Sequence, residues 1–174
     1  MNILKKIFGN SNVSSIEKMK ESVVEKIIKS TDDTNKIIIE IDNYICELCQ
    51  WGEKMENLSN LQKCFYFNQN LEREINNGGF SQYFFNSSGD YALETIESLN
   101  LIGANKTAKI LEKAIAQFPE SKVPIDKVLR EEILEQIEEK ANIVWEQLDD
   151  EFVKYDDDLN SLNLEFVKKN LDSF

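Results

Sequence analysis

Histidine is absent from the 174 residues, and that removes much chemistry. There is no Ser-His-Asp or Cys-His nucleophile pair, no imidazole metal ligand and no imidazole proton shuttle. Breakers are scarce: six Gly and two Pro fall well below the roughly 12% of an average chain. A barrel or sandwich needs many tight turns, so both are disfavoured. Three Cys are an odd number and too few for a disulfide scaffold, which fits a reducing cytoplasm. No apolar run approaches the roughly 18 residues that would span a bilayer. Cations are outnumbered, with 20 Lys+Arg against 32 Asp+Glu and a net charge of −12. That balance argues against direct binding to nucleic acid or to an anionic membrane, and a basic partner is its natural complement.

What remains is the composition of a helical globule. Hydrophobic residues make up 41% and charged residues 30%, enough apolar surface to pack a core. The length suits one domain. We expect an all-α fold, a single compact multi-helix domain of about seven or eight helices. Charge divides it unevenly. Residues 1–30 carry six Lys and three Glu and read as a mildly basic N-terminal helical extension; residues 31–174 form the domain proper. Residues 120–174 hold sixteen acidic and seven basic groups, so the acidity belongs mainly to the C-terminal third. The first nine residues look like the positive start of a signal peptide but lack its apolar stretch and cleavage site. Ile3, Leu4, Ile7 and Phe8 read as a loose or tucked-in terminus rather than a membrane contact.

Helix punctuation is clear. Ser14-Ser15-Ile16-Glu17 reads as a capping box opening a helix to residue 29. Thr31-Asp32-Asp33-Thr34 offers N-cap oxygens for a second helix to Trp51, stopped by Gly52. Its Ile37-Ile38-Ile39 run could be a strand, but Ile41, Tyr44, Ile45 and Leu48 continue at helical spacing. Ser59-Asn60-Leu61-Gln62 is another capping box, for a helix to Asn76 that Asn77-Gly78-Gly79 ends by supplying positive φ, and Phe80, Tyr83, Phe84 and Phe85 follow as a compact aromatic cluster on one or two helical turns. Asp90 is placed to cap a helix over 90–100, and another should end at Phe118-Pro119. The longest pattern covers 126–152, and a last short helix covers 159–170.

Between Glu74 and Gly89 the chain reads Glu-Ile-Asn-Asn-Gly-Gly-Phe-Ser-Gln-Tyr-Phe-Phe-Asn-Ser-Ser-Gly. This block, with Asn77, Gly78, Gly79, Phe80, Gln82, Phe84 and Asn86, resembles a bacterial family of DNA-mimic proteins. The likeness continues through Ile102-Gly103-Ala104, Ala108, Ile110, Leu111, Ala114, Phe118-Pro119, Leu148-Asp149 and Phe152, and is strongest over 71–119. The resemblance implies an all-helical fold. For the best-known type of member it implies an acidic dimer that occupies a transcription factor's DNA-binding surface. The shared motif contains few carboxylates and reads as mainly structural. Gln82 and Asn86, four apart beside aromatics, read as buried amides bonding the Asn-Gly-Gly backbone, with a small-ligand pocket as the alternative.

Over 126–152, taking 100° per residue, Leu129, Ile133, Ile137, Ala141, Val144 and Leu148 share one sector. The opposite sector holds Glu131, Glu132, Glu135, Glu138, Glu139, Glu146, Asp149 and Asp150. If residues 130–158 were all helical they would span about 43 Å, with one carboxylate per roughly 3.6 Å, close to the 3.4 Å charge repeat of a DNA strand. Glu131, Glu135, Glu138, Glu139, Glu146, Asp149 and Asp150 are therefore the candidate partner-binding surface. A solvated amphipathic face is the plainer reading of the same pattern. Like-charge pairs such as Glu131/Glu135 and Glu135/Glu139 each cost a few tenths of a kcal/mol, a weak hint of use.

Other constellations fall short of a site. Cys46-Glu47-Leu48-Cys49 lies inside an apolar helix and reads as buried thiols, and Cys64 brings the thiol count only to three, short of a structural zinc site. Asp156, Asp158 and Asn160 imitate a calcium loop but leave Ser161 and Val167 at its diagnostic positions, so helix capping by Asp157 or Asp158 is the better reading. No Walker loop, dinucleotide glycine pattern or singled-out carboxylate pair appears. We therefore expect no enzyme, no metal and no cofactor. The leading expectation is inhibition of a basic DNA-binding protein by imitating phosphate. The alternatives are an immunity-type protein neutralising a basic toxin or nuclease, and a small-ligand-binding domain.

Overall fold

The computed structural model describes residues 21–174. The capping box at Ser14 and the apolar N-terminal residues lie outside them. Among the described residues the chain forms seven α-helices, five short 3-10 turns and no strand. The helices are α1 (Val23–Ser30), α2 (Thr34–Leu48), α3 (Asn60–Phe85), α4 (Ala92–Ile102), α5 (Asn105–Ile115), α6 (Lys127–Phe152) and α7 (Leu159–Lys169). The expectation of an all-α fold holds.

Most starts are set by the capping oxygens that the sequence displays. Asp33, Ser59, Asp126 and Asp158 each accept a backbone N–H of the first turn, satisfying one of the orphan donors there. The Ser59 box is complete, its hydroxyl taking the Gln62 N–H at 3.1 Å while Gln62 takes the Ser59 N–H at 2.8 Å. A second box, Ser22 with Glu25, opens α1 and stands in the sequence unread. The Ile37-Ile38-Ile39 run is helical, with Ile37, Ile38, Ile41 and Ile45 buried.

Two boundaries differ from expectation. Helix α2 stops at Leu48, because Gln50, Trp51 and Gly52 all take positive φ, so Trp51 lies beyond it. Helix α3 breaks at Asn77-Gly78-Gly79 as expected, since Gly78 and Gly79 both leave helical φ/ψ. It bends there, with Gly79 at φ 70°, and resumes to Phe85. Asp90 caps nothing: α4 begins at Ala92 without a side-chain cap, and Asp90 instead pairs with Arg130. Asp157, an expected cap for α7, serves α5, its Oδ2 accepting from the N–H groups of Lys106 (2.9 Å) and Thr107 (2.8 Å).

Two apolar clusters share α3. Its first part packs with α1, α2 and α7 through Val24, Ile38, Ile41, Ile45, Phe65 and Val167. Its last turns pack with α4, α5 and α6 through Phe80, Tyr83, Phe84, Leu99, Leu111 and Trp145. Phe84 centres the second cluster, with ring centroids 4.9 Å from Phe118 and 5.2 Å from both Tyr83 and Trp145. Cys46 and Cys49 are fully buried in the first. Burial, reinforced by the Asp42 charge, pushes the Cys46 thiol up to about 12, so it stays protonated and inert.

Candidate partner-binding surface

Helix α6 turns one face to the core and leaves the other open, and the buried stripe is the expected one shifted part-way around the helix. Its buried positions are Arg130, Ala141, Trp145, Leu148 and Phe152, joined by partly buried Ile133, Leu134, Ile137 and Val144. Leu129, expected inside, is 48% exposed. The helix is rotated about its axis because two large side chains anchor it. Trp145 donates its indole N–H to the Ala114 carbonyl at 3.0 Å. Arg130, despite its charge, is 0% exposed.

The rotation divides the seven candidate carboxylates. Glu135, Glu138, Glu139, Glu146 and Asp150 are exposed, and so is Glu132. Among the described residues none of these six forms an ion pair. Glu131 is half-buried and pairs with Lys127 at 3.6 Å. Asp149 turns inward and accepts the Phe80 N–H at 2.9 Å. Its carboxyl is held above the usual aspartate range by burial, which outweighs the Phe80 bond, with the neighbouring Asp150 and Glu146 charges adding to the rise. Asp149 thus caps the resumed part of α3. A Cβ on Gly79 would collide with its carboxylate, so that glycine serves both the left-handed turn and the close approach.

The array that remains is sparser than the sequence suggests. From Glu132 to Asp150 the helix rises about 27 Å, so six free carboxylates give one charge per roughly 5 Å, against 3.4 Å for a DNA strand. Asp149 has gone to the core side, Glu151 is paired with Lys113 at 3.3 Å, and Asp156, Asp157 and Asp158 lie beyond the helix end. The spacing is still shorter than the Debye length of about 8 Å at physiological salt. An approaching cation therefore meets overlapping potentials along the whole face.

The motif residues build the ground under this face. Gln82 and Asn86 donate not to the Asn-Gly-Gly backbone but to one carboxylate oxygen of Glu74, at 2.7 and 2.8 Å. Ser88 donates to the other oxygen at 3.2 Å. Phe80 and Phe84 are core, while Asn77 and Gly78 are exposed at the bend. Phe80, Gln82 and Asn86 therefore line no common cavity. Sequence reasoning missed the roles of Glu74 and Arg130. Steps of four from Glu74 pass through Gly78 to Gln82 and Asn86, a stripe visible only once α3 is allowed to continue past the glycines.

Beside the exposed carboxylates, between the last turns of α3 and the first half of α6, lies an open groove of about 400 Å³. Glu131, Glu135 and Glu138 line it on one side and Gln82 and Phe85 on the other, with Leu134 and Trp145 also contributing. A family model described as DMP19-like protein matches residues 56–170, which takes in α3 to α7, the acidic face and the motif. The chain belongs to the DMP19-like family. No curated protein and no solved structure matches it. The DMP19-like match leaves α1 and α2 outside, although both pack in the same apolar cluster as α3 and α7. Among the described residues no helix is long and apolar enough to cross a membrane.

Proposed function

We propose that the protein is an acidic protein-binding module that inhibits a basic DNA-binding protein, such as a transcription factor, by presenting carboxylates where DNA would present phosphates. One observation carries the reading: Glu132, Glu135, Glu138, Glu139, Glu146 and Asp150 lie open along one side of α6, unpaired among the described residues. Membership of the DMP19-like family supports it. So does energetics, since Glu135/Glu139 and Glu146/Asp150 are like-charge neighbours one turn apart, each unfavourable by a few tenths of a kcal/mol. A surface shaped for stability alone would relieve them with lysine. The module acts by occupancy and performs no reaction. A second protomer would widen the array.

Such a surface accelerates encounter with a positive partner and loses its hold as salt screens the charges. Affinity capture from the native organism at low salt, followed by mass spectrometry, tests the proposal. The expected result is a basic DNA-binding protein that elutes as the salt is raised to a few hundred millimolar. Captured proteins that are neither basic nor nucleic-acid-binding would overturn it. Capture of a toxin nuclease would replace inhibition of a regulator by immunity.

A further inference from the structure

The groove between α3 and α6 differs from the rest of the acidic face in having an aromatic wall. Phe85 ends α3 and is 53% exposed, whereas Phe80, Tyr83 and Phe84 are buried. Across from it stand Glu131, Glu135 and Glu138, at i, i+4 and i+7 on one side of α6. At its edge the protein has already placed a cation of its own. The Lys127 ammonium sits 5.8 Å from the centre of the Phe85 ring and 3.6 Å from Glu131. Glu135 and Glu138, further along the groove, have no such counter-charge among the described residues.

We propose that this groove is a socket for one arginine side chain of the basic partner, and that Lys127 is the placeholder which that arginine displaces. The inference rests on reading the acidic face as the partner surface and adds a short-range anchor to it. Charge complementarity selects a cation. The aromatic wall selects guanidinium over ammonium, because a planar, weakly hydrated group stacks on a ring face and still bonds a carboxylate through two N–H groups. An ammonium is a compact, strongly hydrated charge and gains less there. Leu134, partly buried at the groove, offers apolar surface to the methylene stem. Screening weakens the carboxylate array as a whole, whereas stacking on Phe85 persists in salt. The socket would therefore let the protein discriminate among basic partners that phosphate imitation alone would treat alike.

The test uses the full chain and two labelled probes, nona-arginine and nona-lysine, with binding followed by fluorescence anisotropy at low and physiological salt. The wild type should bind both in a salt-dependent way and favour nona-arginine. Phe85→Ala leaves the net charge unchanged and should shrink that preference by roughly two- to five-fold, the range of an exposed cation–π contact; Phe85→Tyr should keep it. Lys127→Ala should tighten nona-arginine more than Lys168→Ala, which removes the same charge from an exposed position on α7. An unchanged preference in Phe85→Ala, or equal tightening by the two lysine variants, overturns the socket and leaves the acidic surface standing. Absence of salt-dependent binding to either probe overturns both.

Discussion

Replacing Arg130 by methionine is expected to destabilise the fold by about 3–5 kcal/mol, the cost of leaving several backbone acceptors and a partly exposed carboxylate without the buried guanidinium they share. In a chain of this size that lowers the melting temperature by roughly 6–20 °C. The side chain is fully buried. Its Nε–H donates to the Phe84 carbonyl at 2.8 Å, and its terminal nitrogens donate to Pro124 at 2.6 Å and to Ile125 and Asn86 at 3.2 Å. It also pairs with the Asp90 carboxylate at 2.5 Å. One guanidinium thus ties the end of α3, the turn before α4 and the approach to α6. Methionine keeps much of the volume but leaves these carbonyls and the Asp90 charge unpartnered. Lysine should rescue little, since one ammonium cannot reach acceptors spread around a planar fork. Adding Asp90→Asn to Arg130→Met should recover part of the loss by removing the orphaned charge. Urea titrations followed by circular dichroism measure all of these, and a loss below about 1 kcal/mol would show that the network does not hold the fold. Gly89 belongs to the same account. A Cβ there would lie 2.9 Å from the Phe84 carbonyl and 3.1 Å from Arg130 Nε, so the turn has room for the arginine only because that position is bare.

The second large effect concerns binding. Changing Glu135, Glu138, Glu139 and Glu146 together to glutamine should weaken the captured partner about a hundredfold at low salt, taking somewhat under 1 kcal/mol for each exposed charge. The same change should leave the fold intact and, if anything, steady it, because like-charge neighbours are relieved. The contrast is the informative part: stability held or raised, affinity lost. Glutamine keeps the size and helix propensity of glutamate, so circular dichroism should not change. The gap between wild type and variant should close as salt rises, since screening removes from the wild type what substitution removes from the variant. Titration calorimetry at several salt concentrations checks both points. An affinity that survives the four substitutions would place the contact elsewhere on the protein.

Where local chemistry sets the structure, the sequence shows it plainly. The Ser59 box, the caps at Asp33, Asp126 and Asp158, and the apolar spacing of Ile37, Ile38, Ile41 and Ile45 depend on residues within a turn or two. The missed features depend on partners far along the chain. The break at Gly79 and the helical turns after it read correctly, but the cap on those turns comes from Asp149, 69 positions away. Asp157 looks like a cap for the helix that follows it, yet it serves α5, 50 positions back. Arg130 is hidden because a hydrophobic pattern assigns no core position to a charged residue. With Trp145 at its centre, the stripe Leu134, Ile137, Ala141 and Leu148 extends back to position 130 at helical spacing, and what stands there is an arginine. The same omission explains why Asp149 reads as outward-facing and why the free carboxylates are fewer than the charge count suggests.

The most direct measurement is competition on the captured partner between this protein and the partner's own DNA duplex. The partner is saturated with labelled duplex, the acidic protein is titrated in, and free DNA is followed by anisotropy and by native gel. Imitation of the phosphate backbone predicts that each bound molecule of the protein releases duplex, that more duplex raises the protein concentration needed in proportion, and that no ternary species forms. A stable complex of partner, duplex and this protein together would contradict it.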